Sequence, residues 1–435
     1  MNYSQILSKY QYAELRIERS SSSVVSIKNE ETRHTSGFSD GLGVRVLENG
    51  SWGFASGNNI KEVENLLEKA KKLASLSNGK IKLKNTESNK KTFSDKETIT
   101  DAETQVKVLL EASKSMEAKF ITSRTVSSTD RTVKKEFYNS DGSEIFQNIC
   151  YTYMACTSIA KSGTLIQRGS ERAWSRSGFE KIDVFKVAEE AKDKAIRLLN
   201  ADAPPKGRFT VVLDPEMTGV FSHEAVGHAC EADSVVDRES ILAGRIGNEI
   251  GNKLVTIIDD PTTNDFGGYN YDDEGVEAKP AVLIKDGLLK TFMNSRETAY
   301  ELGLEVNGHA RAGSYNEVPI IRMSNTYFQK GSSSVSDVFD IKDGIYLKGM
   351  RGGSVDIFSG GFMFKAEEAY EIKNGKKEKI MRDVTISGNI LQTMLDVEAV
   401  GNDFGTSPGI CGKMGQEAPV SDGGPHIRIK NVAIG

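Results

Sequence analysis

Apolar and polar residues alternate around Ala13, Leu15 and Ile17, and again around Leu42, Val44 and Val46. A period of two is the pattern of half-buried strands. Asn49-Gly50 then predicts a tight hairpin ahead of Trp52 and Phe54. After this the period lengthens: Ile60, Val63, Leu67, Ala70 and Leu73 recur at helical spacing. A second helix is expected from Thr100, where Thr100-x-x-Glu103 has the form of a capping box ahead of Val106, Leu109 and Leu110. Residues 120–172, rich in Ser, Thr and aromatics, read as several strands. A third helix, over 183–200, carries Val187, Ala191, Ala195 and Leu198 on one side.

Residues 200–207 hold two prolines and a glycine between that helix and a strand over 209–213, which predicts a linker. Beyond it, turn dipeptides stand at Asp286-Gly287, Asp343-Gly344, Asn374-Gly375 and Asp422-Gly423, between short apolar runs. Gly352-Gly353 and Gly360-Gly361 add further punctuation. The pattern predicts an α+β fold: an N-terminal α/β domain over 1–205, then a largely antiparallel β domain over 206–435. Helix is expected in the second part only near 215–231 and 294–303, and no repeat of solenoid or propeller spacing is present.

A chain of 435 residues is too long for one simple core, which agrees with this division. Acidic residues outnumber basic ones by 61 to 56 without long blocks of one sign, so bulk charge argues against a nucleic-acid partner. No stretch approaches the roughly 20 apolar residues that span a bilayer. The first ten residues lack the apolar core of a secretory signal. The four cysteines, Cys150, Cys156, Cys230 and Cys411, include no CxxC, and reduced thiols in a cytoplasmic protein are expected. A reduced cysteine is free to bind metal.

The candidate chemistry lies on one predicted helix. Asp214-Pro215 is a capping carboxylate followed by proline at the first helical position. The helix then contains His223-Glu224-Ala-Val-Gly227-His228, two of only five histidines in the chain. The familiar zinc helix spaces its histidines four apart, on one face. Here the spacing is five, which on a regular α-helix points the two side chains about 140° apart. A π-type turn would bring them back together. Gly227, with its unrestricted backbone, is where such a departure is expected. On these residues alone the pair could equally be ordinary polar residues of a helix.

A catalytic zinc site takes three protein ligands and leaves a position for water. Cys230, Cys411, His309, His426 and many carboxylates are candidates for the third. Cys230 follows His228 by two residues, on the far side of a regular helix, and is expected to be a buried small side chain. Cys411 stands between Gly409 and Gly412 in an expected loop, where the backbone could approach a metal closely.

These elements together resemble the TldD/PmbA family of metallopeptidases, on its TldD side. His223-Glu-Ala-Val-Gly-His228 is similar to that family's HExxxH element, and Asn270-Tyr-Asp-Asp-Glu-Gly275 to its acidic loop. Ser314-Tyr315, Pro319-Ile-Ile-Arg-Met-Ser-Asn-Thr326 and Pro408-Gly-Ile-Cys411-Gly-Lys-Met-Gly-Gln416 resemble further blocks. The likeness is strongest over 208–435. It implies zinc bound by His223, His228 and Cys411, with Glu224 as the base that activates zinc-bound water. It also implies unfolded peptides or disordered segments as substrates, held as an added β-strand. A hollow homodimer, or a heterodimer with a PmbA-type subunit, is implied as well.

His309, Arg311, Tyr315 and Arg322 are candidates to stabilise the charge that develops on the substrate oxygen. Asp272, Asp273 and Glu274 could line the groove or cap a turn ending at Gly275. The competing readings are a zinc hydrolase of a non-peptide amide and a non-catalytic metal-containing subunit of a protease complex.

Overall fold

The structure, a computed structural model, describes residues 2–96 and 100–435. Its first sheet contains β1 (Tyr12–Lys28), β2 (Glu31–Glu48), β3 (Ser51–Gly57), β4 (Lys90–Ser94), β5 (Ile121–Asn139), β6 (Glu144–Ser162) and β7 (Leu165–Ser175). Its order is β3-β2-β1-β5-β6-β4, with β7 also on β6, and every pairing except β4–β6 is antiparallel. Asn49 and Gly50 turn β2 into β3 with φ of 51° and 70°, the left-handed pair that a two-residue hairpin requires.

After α1 (Tyr3–Leu7), three longer helices pack on one face of this sheet: α2 (Val63–Ala74), α3 (Ala102–Ser115) and α4 (Val184–Leu199). Ala13, Leu15 and Ile17 meet α2 through Val63, Leu66, Leu67 and Ala70. Leu73, expected on that stripe, is half exposed, because Leu66 and Ala74 take the core positions. The cap of α3 is Asp101, whose carboxylate accepts the Thr104 N–H at 2.9 Å, rather than Thr100.

The strands are covered on both faces. On the opposite side, Glu14 and Glu274 both bind Arg45, the latter at 2.9 Å, and Tyr151, Tyr153 and Trp174 surround Phe266. The polar half of the alternation is therefore buried against the second part of the chain.

That part holds two larger sheets and one two-stranded ribbon. The six-stranded sheet runs β11 (Leu288–Leu289), β10 (Ala281–Lys285), β9 (Ile257–Asp259), β14 (Asn325–Phe328), β21 (Gln416–Gly424), β20 (Gly405–Lys413). The seven-stranded sheet runs β15 (Asp343–Asp356), β8 (Gly207–Leu213), β22 (Ile427–Ile434), β18 (Thr385–Asn389), β16 (Gly361–Lys373), β17 (Lys376–Met381), with β19 (Val397–Val400) also on β22. Because β16 pairs with β15 as well, the path closes into a ring. The ribbon is β12 (Ala310–Arg311) with β13 (Ile320–Ile321). Between named strands of this part, the parallel pairings are β14–β21 and β8–β15.

Two of the four predicted turns form: Asp286-Gly287 joins β10 to β11, and Asn374-Gly375 joins β16 to β17. Asp343-Gly344 and Asp422-Gly423 instead lie inside β15 and β21. Besides the expected helices α5 (Pro215–Val220) and α7 (Arg296–Leu302), three short ones occur: α6 (Ala232–Val236), α8 (Val335–Phe339) and α9 (Ile390–Leu395). Each is about two turns or less, below what a periodic apolar stripe can announce. The main core surrounds residues 217–229, where Met217, Phe221, Val226 and Ala229 are enclosed by side chains of both large sheets.

Candidate metal centre

Asp214 starts the central helix by accepting the Met217 N–H at 2.8 Å, and its other oxygen accepts the Gly349 N–H of β15 at 3.2 Å. Pro215 occupies the first turn. After α5 the backbone widens into a π-helix, Phe221–Gly227, in which the His228 N–H bonds back to the His223 carbonyl. This i→i+5 bond returns His228 to the side of His223. Their rings stand 5.2 Å apart at 90°.

The role of Gly227 differs from the expectation. Its φ and ψ of −54° and −58° are helical, so conformational freedom is not what the position uses. A Cβ there would lie 2.0 Å from Sδ of the fully buried Met323. Gly227→Ala should therefore destabilise the protein by about 1–3 kcal/mol through overpacking, readable as a lowered denaturation midpoint. An unchanged midpoint would mean that Met323 moves freely.

Cys411 comes from β20, an edge strand rather than a loop. A hairpin at Met414 and Gly415, with φ of 51° and 78°, returns the chain into β21. The buried Arg322 guanidinium donates to the Cys411 and Gln416 carbonyls, which holds the strand against the core. The Cys411 Sγ lies 3.6 Å from His228 Nε2, and one ligand atom each from His223, His228 and Cys411 fall within 4.8 Å of one another. Adjacent corners of a zinc tetrahedron with one sulfur and one nitrogen are about 3.6 Å apart. The Cys411–His228 spacing and the borderline-soft donor set both fit zinc.

Around these three lies a ring of support. Glu231, almost wholly buried, binds His228 Nδ1 at 3.0 Å, which leaves Nε2 for the cavity. Lys413, two residues beyond Cys411, reaches Glu231 at 3.3 Å and both oxygens of Asp233 at 2.8 and 2.6 Å. This clasp ties the helix end to the cysteine strand. Burial would raise the Glu231 pKa, but the His228 hydrogen bond and the Lys413 and Arg322 charges hold it low. Burial likewise opposes charge on Cys411 and His228, yet His223 and His228 together outweigh it for the thiol, and Cys411 and Glu231 for the imidazole. The thiol is lowered and the imidazole raised, which favours a thiolate–imidazolium pair.

A cavity of about 450 Å³ opens over the three side chains. Residues 350–353 of β15 line one side and 408–412 of β20 the other. Glu224 sits in it one-third exposed, its carboxylate 3.8 Å from His228 Nε2. A Cβ on Gly412 would meet nothing within 4 Å, so this glycine leaves the groove wall open. Asp422 also lines the cavity; burial and the nearby Glu216 raise its pKa, against His223, to about 7.

Several predicted site residues lie elsewhere. His309 is fully buried, with Nδ1 on Asn307 at 2.8 Å and Nε2 on Asp259 at 3.0 Å, so both ring nitrogens are committed. Arg311 donates to the Met323 and Pro419 carbonyls at 2.6 and 2.9 Å and lies over the Tyr269 ring. Tyr315 packs against Gly41 and donates to Asn58 at 3.3 Å. None of the three lines the cavity over His223.

Asp272 caps the turn that ends at Gly275, accepting from the Glu274, Val276 and Ala310 N–H groups. Asp273 pairs with Lys135 at 2.9 Å, and Glu274 with Arg45 at 2.9 Å, joining the acidic loop to the first sheet. Cys230 is fully buried among apolar side chains, which raise its pKa, and His426 pairs with Asp403 at 2.7 Å. The cavity residues missed from sequence are Asp422, Arg172 and Arg351, together with the supporting Glu231 and Lys413. Of these, Lys413 lies inside the Cys411 block, and Asp422 carries only the signal of a turn dipeptide.

Profiles of one family cover the chain in three consecutive blocks. The PmbA/TldA metallopeptidase domain 1 matches 13–74, the central domain 93–199 and the C-terminal domain 206–435. A metalloprotease of Methanothermobacter thermautotrophicus is 40% identical over 98% of this chain and 96% of its own length. A zinc metalloprotease TldD homolog of Saccharolobus solfataricus is 32% identical over 98% and 96%. Among solved structures, TldE from Thermococcus kodakarensis shares the fold, with a TM-score of 0.77 over 100% of this chain and 99% of that one, at 19% identity. The chain therefore belongs to the PmbA/TldD family and is a metallopeptidase.

Proposed function

We propose that the protein is a zinc peptidase acting on unfolded peptides or disordered segments, with His223, His228 and Cys411 as metal ligands and Glu224 as general base. The observation that carries this reading is the convergence of three ligand atoms within 4.8 Å beside a carboxylate that is not one of them. When bound, zinc would supply Lewis-acid polarisation of a scissile carbonyl and of a nearby water. Glu224, on the open side of the site, accepts a proton from the attacking water and passes it to the leaving amine. Among the cations that line the cavity, Arg351 replaces His309, Arg311 and Tyr315 as the candidate to meet charge on the substrate oxygen.

Among the described residues the outer edge of β20 has no strand partner, and β15 pairs with β8 only over 345–347, which leaves 350–353 open on that side. A peptide laid between these two edges would be held by main-chain hydrogen bonds, with little demand on its side chains. Glycines at 352 and 412, where a Cβ would meet nothing within 4 Å, keep both walls low. The family and the fold shared with TldE support a homodimer or a heterodimer with a PmbA-type subunit. A structural metal would take four protein ligands, whereas three of the described residues converge here, which favours the catalytic reading over the structural one.

The decisive test is hydrolysis of a disordered protein by the zinc-loaded chain, with no cleavage after chelation and recovery on adding zinc. Cleavage unaffected by chelation would end this reading. The clasp gives a separate expectation. Lys413→Ala should weaken zinc binding about 10–100-fold, the usual effect of losing an outer-shell partner, although no ligand is removed. Competition against a chromophoric chelator measures this, and an unchanged affinity would dismiss the clasp.

A further inference from the structure

We propose that the protein carries a carboxylate-binding subsite beside the metal cavity, built from Arg168 and the hydroxyls of Thr157 and Ser170. It would select peptides with an acidic side chain, or their own C-terminus, a few residues from the cleaved bond. The proposal rests on the peptidase reading above.

A second cavity of about 270 Å³ lies on the β6–β7 surface and shares Arg172, Met350 and Arg351 with the cavity over His223. The two therefore adjoin across these side chains, and a peptide leaving the metal centre along β15 would pass over this surface. A water takes about 30 Å³ in the liquid, so the space admits a glutamate side chain with solvent beside it.

Every charged group of this second cavity except Arg168 has a partner of opposite sign. Arg172 is held by Glu216 at 2.7 Å, and Arg351 by Asp383 at 3.2 Å. The two carboxylates facing the space, Glu171 and Glu367, both bind Lys194, Glu171 at 2.5 Å. Burial, opposed by Lys194, raises the Glu367 pKa to about 7, which reduces the negative charge there at neutral pH.

Arg168 is exposed and has no carboxylate partner among the described residues. Its Nε donates to Ser170 Oγ at 2.8 Å and one terminal nitrogen lies 3.5 Å from Thr157 Oγ1. Ser170 and Thr157, opposite one another across β6 and β7, bond to each other at 3.2 Å. The hydroxyls hold the guanidinium in place and leave N–H groups free, the arrangement that grips a carboxylate with two parallel hydrogen bonds.

The test uses the zinc-loaded full chain and disordered peptides that differ in one group. A C-amidated peptide with Gln at every acidic position is the neutral reference. One arm restores Glu at successive positions on either side of the cleaved bond, and the other restores the free C-terminus. The wild type should cleave one of the acidic forms with kcat/KM about tenfold or more above the reference, through KM. The arm that shows the gain identifies the source of the carboxylate. Arg168→Ala should erase the gain and leave the reference rate unchanged, and Arg168→Glu should turn the preference towards Lys.

Equal cleavage of acidic and neutral peptides by the wild type, or a preference that survives Arg168→Ala, overturns the subsite. If Arg168→Ala does not fold, Arg168→Gln replaces it. Should the wild type cleave no peptide, the peptidase reading fails. Binding of the labelled Glu peptide to the Glu224→Gln protein then decides the subsite separately. Loss of binding in Glu224→Gln/Arg168→Ala supports it, and equal binding rejects it.

Discussion

Glu224→Gln should lower kcat for peptide hydrolysis by roughly 10²–10⁴-fold, the usual contribution of a positioned general base, while zinc content stays at the wild-type level. The carboxylate is close enough to His228 Nε2, at 3.8 Å, to work on a water beside the ligands, yet it is not among the three converging atoms. Gln keeps its size and its place on the π-turn but cannot accept the proton. Metal analysis and a single-turnover assay on one preparation separate the two effects. Full activity in this variant would remove Glu224 from the chemistry, and lost zinc would make it a ligand.

Cys411→Ser should be more severe, because a hydroxyl replaces a thiolate in a three-ligand site. Zinc retention and hydrolysis should fall together, whereas Cys230→Ser should keep both, its side chain lying in the apolar core. The protonation of the pair sets the pH dependence. Burial opposes charge on both groups, but His223 and His228 lower the Cys411 pKa, and Cys411 with Glu231 raises that of His228. At neutral pH the sulfur is thus already ionised, and the protons that oppose metal sit on the histidines. Zinc affinity should rise with pH until His228 gives up its proton and fall steadily in acid. Titration calorimetry in buffers of different ionisation enthalpy should show about one proton or more released per zinc at pH 7. Uptake independent of pH over 6–9 would contradict that pairing.

The sequence announced those parts of the fold in which one residue's chemistry has one local meaning. Asn49-Gly50 made its hairpin, and the five-residue histidine spacing made its π-turn. Asp422-Gly423 has the same local form as a turn, but β14 and β20 flank it on both sides and draw it into a strand. Gly227 was legible as a special position though not for its reason, since the side chain it makes room for, Met323, is almost a hundred residues away. Glu231 and Lys413 gave no signal of their own. Their meaning comes from a tertiary contact of 3.3 Å between the helix end and the cysteine strand. His309 misled for the opposite reason. A scarce histidine suggests chemistry, and this one serves as a buried crosslink between Asn307 and Asp259.

The position of Cys411 on the outermost strand has a consequence for how the protein breathes. Among the described residues β20 is bonded along one side only, and strands with few buried contacts open at lower free energy than the rest of a molecule. An ion shared between Cys411 and the core helix would act as a rivet through that loose margin. Stripping it should speed amide hydrogen exchange over 405–413 while the closed ring of strands keeps its protection. Holding metal and keeping the groove's rim in order would then be a single event.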